Sequence, residues 1–361
     1  MLEYTYQINK VGDKMNIIDL SKGKRETYKI VMKYSMLLES ALGIAAVTNE
    51  KLTNTLEKDM PLKGRAFKIQ SQGLKKELEY VSEHNTWKAL LQLLYYCEEQ
   101  KLESFKTFID NLSEEKLKFY CIPYLGMDMQ ETRLSAAKGN LIALEKITEL
   151  TKSNIFFPKY IDFIVTIDSS LLKKHLISVI TKWFYEVILE EKESYEKILE
   201  RDIVMKGSML NKLQPEEFVK WATGGIDYVS EPSVTRVLLV PHYIYRPWNI
   251  EADFENTKVF YYPISNESIY PDDKLTPDNF LVLKFKALGD ETRLKIMKIL
   301  FEGEQTLQDL ALQLDIPKSS LHHHLSTLRS ARLVTTNNGV YQVNKWATES
   351  LTDEFFNFLK N

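Results

Sequence analysis

Cysteine is almost missing from this 361-residue chain, which has only Cys97 and Cys121. Neither belongs to a Cys-x-x-Cys pair or has a histidine at metal-ligand spacing, which excludes a disulfide framework and the usual thiolate metal sites. Cys97 follows Trp87, Leu90, Leu91 and Leu94 along one helical face and reads as a small buried thiol. Long apolar runs are missing too. The longest, such as Ala41 to Val47, fall far short of the roughly 20 residues a bilayer span needs. The start, Met1 to Gln7, has neither the basic beginning nor the apolar core of a secretory signal. A cytoplasmic protein with no membrane contact is expected. Catalytic signatures are also absent from the first 275 residues: no Gly-x-Gly-x-x-Gly opening a helix, no P-loop, no His-Glu-x-x-His, no Gly-x-Ser-x-Gly. The three histidines there, His84, His175 and His242, are scattered. No enzyme, no catalytic or metal-binding residue and no cofactor is therefore expected.

What is present is the composition of a folded chain, 44% hydrophobic and 27% charged, with a length that suits two domains rather than one core. The net charge of −3 is unevenly spread, since Lys284 to Lys345 holds nine Lys or Arg against six Asp or Glu. That tilt points to the C-terminal part as the surface that meets phosphate.

From about Lys24 to Gly225 the period is helical. Leu172, Leu176, Val179, Ile180, Trp183, Phe184 and Val187 form one apolar stripe, and Trp87, Leu90, Leu91, Leu94, Phe105 and Phe108 another. Strand-like sequence lies at Leu2 to Ile8, Val234 to Val240 and Lys258 to Ile264, which predicts a small sheet joining the first and last segments of this region. Between the later strands runs Pro241-His-Tyr-Ile-Tyr-Arg-Pro-Trp248, dense in aromatics. It reads either as a packed loop or as a pocket wall, in which case His242, Tyr243, Tyr245, Arg246 and Trp248 are the candidate ligand-binding residues, suited to an anionic or amphiphilic small molecule. Ser265 to Pro277 is polar with two prolines and has the signature of a linker and hinge. The expected organisation is a mainly α (α+β) chain: a large helical N-terminal domain with a small sheet over residues 1–265, a linker over 266–277, and a helical module over 278–361.

That last module is the most informative part. Phe280 to Leu288 predicts a first helix, stopped at Gly289, and Asp290 an N-cap for a second, which Gly303 ends. Thr306 opens a third, with Asp309 three residues on, and Leu307, Leu310, Ala311 and Leu314 as its buried face. After the turn Asp315-Ile-Pro317, Ser319 is a candidate cap for a fourth helix running to about Ser330. Its Leu321, Leu325 and Leu328 recur at i, i+4, i+7. The opposite face then carries Ser319, Ser320, His322, His323 and Ser326, polar groups able to approach base edges and phosphates if this helix enters a major groove. Leu333 to Thr336, the turn Asn337-Asn-Gly339 and Val340 to Val343 make a hairpin. Its Thr335, Thr336, Asn337 and Asn338 are candidates for phosphate or minor-groove contact. The His322-His-His324 triplet does not make a metal site, because successive helical residues point about 100° apart and two ligands from one helix want i, i+4 spacing. Trp346 to Phe358 predicts an amphipathic C-terminal helix with Trp346, Leu351, Phe355, Phe356 and Leu359 available for burial.

Three stretches carry a family resemblance: Phe285-Lys-Ala-Leu-Gly-Asp-Glu-Thr-Arg-Leu-Lys-Ile-Met297, then Thr306-Leu-Gln-Asp-Leu-Ala311, then Lys318-Ser-Ser-Leu-His-His-His-Leu-Ser-Thr-Leu-Arg329. In order and spacing they resemble the signatures of ArsR-type winged helix-turn-helix regulators. The long N-terminal region is similar, more loosely, to the large domain some Gram-positive members carry ahead of the module. The resemblance implies a homodimeric repressor that reads an inverted repeat in double-stranded DNA and releases it on binding an effector. It implies DNA contacts from Lys318, Ser319, Ser320, His322, His323, Ser326, Arg329, Arg332, Thr335, Asn337 and Asn338. It departs from the family in having Arg332 where glycine is usual after the recognition helix. A non-glycine residue in the left-handed region costs on the order of 1 kcal/mol, so either the turn differs or Arg332 compensates through phosphate. It also lacks the family's metal-sensing residues, since Thr306 to Leu314 has no Cys and Leu351 to Lys360 no His. For the N-terminal domain three roles remain open: an effector sensor, a fused enzyme, or an oligomerising or protein-interaction domain.

Overall fold

A computed structural model describes residues 28–49, 53, 56–57, 71–152, 154, 156–337 and 339–360. The chain enters through a short strand, β1 (Lys29–Met32), and α1 (Met36–Thr48), whose first turn is capped by the Ser35 hydroxyl accepting from Leu37 N at 3.1 Å. Apart from Glu39, Ser40 and the terminal Thr48, α1 is apolar on every face, and it is buried over Met36 to Ala46, as an enclosed helix is. Around it stand α2 (Gln72–His84), α3 (Trp87–Tyr96), α4 (Leu102–Asn111), α5 (Glu114–Cys121), α6 (Gln130–Ala137), α7 (Leu141–Thr151), α8 (Phe157–Thr166) and α9 (Ser169–Trp183). The stripe on α9 is buried at Leu172, Leu176, Val179, Ile180 and Trp183. A wider π turn at Phe184–Ile188 interrupts the regular period before Val187 is reached, yet that side chain is still buried. Both cysteines are buried free thiols.

After α10 (Lys192–Gly207) and α11 (Pro215–Thr223) the chain forms β2 (Arg236–His242), β3 (Ile250–Phe254) and β4 (Thr257–Pro263). The sheet order is β1-β2-β4-β3, with β1, β2 and β4 parallel and β3 antiparallel at the edge. The alternation along the two central strands explains why they read as continuous apolar runs. Leu238, Val240, Val259 and Tyr261 face the helices around α1, while Val237, Leu239, Phe260 and Tyr262 face Ile203, Phe218 and Val219 from α10 and α11. The early strand of this sheet is Lys29–Met32; the alternating stretch Leu2 to Ile8 lies outside the described residues. Strand β3 had no sequence expectation.

The polar stretch at 266–277 is tied down rather than free. It opens with a single-turn helix, α12 (Asn266–Ile269). The fully buried Asp202 accepts from Lys206 Nζ at 2.7 Å, Tyr262 OH at 2.9 Å, Ser265 N at 3.0 Å and Ser268 Oγ at 3.0 Å. The Asn266 amide closes the stretch on itself by donating to Pro277 O at 3.2 Å. A buried carboxylate with four donors fixes whatever carries them.

The rest has its own core, centred on Ile296, Leu300, Leu310, Leu321, Leu325, Leu328 and Leu333. Its elements are α13 (Asn279–Leu288), α14 (Glu291–Glu302), β5 (Gln305–Thr306), α15 (Leu307–Leu314), α16 (Lys318–Ser330), β6 (Val334–Asn337), β7 (Val340–Val343), α17 (Lys345–Glu349) and α18 (Leu351–Lys360). β7 lies between β5 and β6, both antiparallel to it. The C-terminal helix is broken at Ser350, where the sequence predicted one run. Among the described residues no helix is long and apolar enough to cross a membrane.

Candidate nucleic-acid interface

Local chemistry positions the recognition elements. Asp278 caps α13 through Phe280 N at 2.7 Å, and Asp290 caps α14 through Arg293 N at 2.9 Å. At α15, Thr306 and Asp309 satisfy one another's backbone amides in a reciprocal capping box. Asp315 ends α15 in the left-handed conformation, φ 54°, and the chain turns directly into α16. One expectation changes here. α16 starts at Lys318 with Pro317 at its N-cap, so Ser319 lies inside the first turn and caps nothing.

α16 docks through Leu321, Leu325 and Leu328, all buried, and this decides what its other face can do. Lys318, Ser319, Ser320, His322, His323, Ser326 and Arg329 are all exposed. They form a continuous polar stripe of hydroxyl, imidazole and cationic donors along one helix, the composition suited to base edges and phosphates. His324 is half-buried, its Nδ1 3.7 Å from Asp290 Oδ1. Among the described residues no three His, Cys, Asp or Glu side chains converge on a common point. In the hairpin Thr335 is exposed and Thr336 half-buried. Gly339 turns with φ 80°, which its missing Cβ permits. Asn337 is described in its backbone alone, and Asn338 lies outside the described residues.

Arg332 does not join this surface. It takes the left-handed conformation, φ 59°, directly after α16, and its side chain turns away from the stripe into the N-terminal region. Nη1 donates to Thr223 O at 2.9 Å, Nη2 donates to Pro247 O at 3.1 Å, and the guanidinium carbon stacks 3.6 Å from the centre of the Phe280 ring. The backbone strain is thus offset by an intramolecular contact and not by phosphate. Gly224, φ 71°, makes room for it, since a Cβ there would collide with the guanidinium. Burial holds the Arg332 pKa down to about 9. The sequence flagged Arg332 as anomalous but gave no sign of its partners, because carbonyls at Thr223 and Pro247 are a property of the fold and not of residue type.

The loop after β2 also differs from a pocket wall. His242, Tyr243, Tyr245 and Arg246 are buried and Trp248 is half-buried against the main core. Tyr243 N and Ile244 N both donate to the buried carboxylate of Glu39 on α1, at 3.0 and 2.6 Å. His242 Nε2 donates to Trp248 O at 2.9 Å, and burial pushes the imidazole pKa down to about 3. Arg246 pairs with Glu57 at 3.3 Å. These five side chains pack and brace the loop.

Two of the scattered histidines do come together. His84 and His175 flank the Tyr80 ring with centroids 4.6 Å away, and Glu77, His175 and Thr86 are strung by contacts of 2.7 and 2.8 Å. An acid–imidazole–hydroxyl string has the order of a nucleophilic relay. Thr86 is fully buried, however, so the string ties α2, α3 and α9 together without offering a hydroxyl to a substrate.

Residues 290–336 match the family described as bacterial regulatory protein, arsR family, so this segment is an ArsR-family helix-turn-helix domain. The same part of the chain is similar to the transcriptional repressor SdpR of Bacillus subtilis, 41% identical over 51 residues, 14% of this chain and 57% of that protein. It is also similar to the HTH-type transcriptional regulator KmtR of Mycobacterium tuberculosis, 36% identical over 75 residues, 21% of this chain and 55% of that protein. The chain spans a little over half the length of each. No solved structure matches the chain.

Proposed function

We propose that the protein is a DNA-binding transcriptional regulator, a repressor that reads an inverted-repeat operator as a homodimer and is released by a small molecule bound through its N-terminal region. The observation that carries this reading is the exposed stripe from Lys318 to Arg329 on a helix whose other face is fully committed to the module's core. α16 is the reader, with Lys318 and Arg329 on phosphate and Ser319, Ser320, His322, His323 and Ser326 nearest the bases. The hairpin, with Thr335, Asn337 and Asn338, follows the backbone beside the groove. A second copy of the chain is supported by the outer face of α13 and α18, where Phe285, Phe355, Phe356 and Leu359 stand 45%, 37%, 50% and 59% exposed. The names of the two relatives, one a repressor, agree with this reading.

The test is selection from random-sequence duplexes, with the protein beside a variant carrying Ser319→Ala, His322→Ala and His323→Ala. Enrichment of a shared inverted repeat by the protein, lost in the variant, is expected. No enrichment by the unaltered protein overturns the reading.

A further inference from the structure

Between the N-terminal region and the winged module lies a cavity of about 720 Å³, within the range of small-molecule sites. Met205 of α10, Met209 in the turn after it and Trp221 of α11 form one side, and Phe280, Trp346 and Phe358 of the module form the other. The module and the N-terminal region therefore both border the same space.

The charges in the wall are not equivalent. Lys206 is held by Asp202 at 2.7 Å, and Lys284 by Glu354 at 2.7 Å. Among the carboxylates, Asp278 accepts the first amides of α13, Asp273 accepts Leu275 N and Thr276 N, and Glu354 takes both Lys284 and the Ser350 hydroxyl. Glu267, Asp353 and the exposed Lys274 also border the cavity. Arg332 differs from the other cations in being half-buried, and among the described residues no carboxylate lies within 4 Å of its guanidinium, which rests on two neutral carbonyls and a ring. Of its five N–H donors, two are used. A half-buried guanidinium with spare donors, near Asp278 but in salt-bridge contact with no carboxylate among the described residues, suits a planar anion.

We propose that this cavity is the effector site and that it takes an amphipathic carboxylate, the anion on Arg332 and an apolar body of about ten carbons against the aromatic and methionine walls. The proposal rests on the regulator reading and adds its ligand class and its route to DNA. Arg332 follows α16 directly, and Leu333 begins the approach to β6. A carboxylate is a stronger acceptor than the carbonyls of Thr223 and Pro247. Binding draws the guanidinium off those carbonyls and loosens the tie between the recognition helix and the N-terminal region. Arg332→Gln breaks the same tie.

The experiment uses the full chain with naphthalene-2-carboxylate and decanoate as probes, and naphthalene-2-methanol and decanol as neutral counterparts. Binding is followed by calorimetry and, separately, by the affinity for a selected operator duplex. At least one acid is expected to bind one per chain and at least tenfold tighter than its alcohol. Arg332→Gln is expected to cost at least tenfold in that binding, and Thr276→Trp, which fills the rim of the cavity, to abolish it. The acid and Arg332→Gln should shift operator affinity in the same direction, and the acid should have no further effect on the variant. Acid binding that is absent, or that survives both substitutions, overturns the site whatever the DNA result. Acid binding with the expected dependence, in a protein with no DNA affinity, keeps the site and overturns the regulator reading.

Discussion

His242 and His323 are the same side chain put to opposite uses. In the N-terminal region the ring is enclosed, donates one N–H to a carbonyl, and is held neutral by burial. On α16 the ring stands in solvent on a helix whose packing is finished without it. The contrast extends to the regions around them. The N-terminal region spends its polar groups inward, on Asp202, Glu39 and the Glu77 string, and derives rigidity from them. The module spends mostly leucines inward, the Lys284–Glu354 pair apart, and keeps the polar groups of α16 outside. In the N-terminal region buried polar groups therefore mark architecture.

The division can be broken most visibly at Asp202. Asp202→Ala leaves the Lys206 amine buried beside Tyr262 without its carboxylate, and a loss of about 3–5 kcal/mol is expected, measured as the denaturant midpoint followed by tryptophan fluorescence. A loss below about 1 kcal/mol would mean that water replaces the carboxylate and the network is not a brace. Next in size, His323→Ala or Ser319→Ala should cost about 1–3 kcal/mol in operator affinity while leaving the denaturation midpoint unmoved. Equal losses in stability and affinity would place these side chains in the architecture after all.

A smaller effect separates the two regions by pH. His242 is held near 3 against an ordinary value of 6.5, so the unfolded chain takes up a proton first and stability is lost as pH falls below 6.5. Among the described residues its Nδ1 has no hydrogen-bond partner to accept that proton. Glu39 works the other way: burial raises it to about 7, so the folded chain holds a proton that the unfolded chain releases, and stability is gained as pH falls from about 7 to 4.5. The two oppose each other between 6.5 and 4.5. His242→Gln should therefore make stability rise more steeply on acidification through that window, by at most about 1.4 kcal/mol per pH unit. Superimposable profiles would show that His242 is not enclosed as a neutral ring. Smallest of all, Thr306→Ala removes one half of the capping box on α15 and should cost about 1 kcal/mol in the stability of the module. A larger loss would show that Thr306 also matters through β5, which it shares.

The module was legible because its information is local. Caps at Asp290 and Thr306, the leucines of α16 and the strands of the hairpin act within a few residues, and the structure keeps them nearly in place. The exceptions within it are Ser319, which lies inside a helix whose N-cap is Pro317, Arg332, whose side chain leaves the stripe, and the break at Ser350. The aromatic loop from Pro241 to Trp248 was not legible, because whether tyrosines line a cavity or fill a core depends on α1, two hundred residues earlier, whose Glu39 pins that loop. The partners of Arg332 were hidden for the same reason. A residue out of place for its turn announced that something unusual happens there, and only the tertiary fold says with what.

The parallel pairing of β1 with β2, Lys29 against Arg236, has a consequence for how the chain matures. Among the described residues no strand between them pairs with β1, so the helices from α1 to α11 leave the ribosome before β2 and β4 arrive to close the sheet. The module assembles from neighbours in sequence and needs no such wait, so it reaches its fold early once made. During synthesis the slow step belongs to the region made first. A chain stopped before β4 would expose an apolar strand edge to its fellows, whereas a fragment starting at the module would lose Arg332's foothold and the N-terminal wall of the cavity.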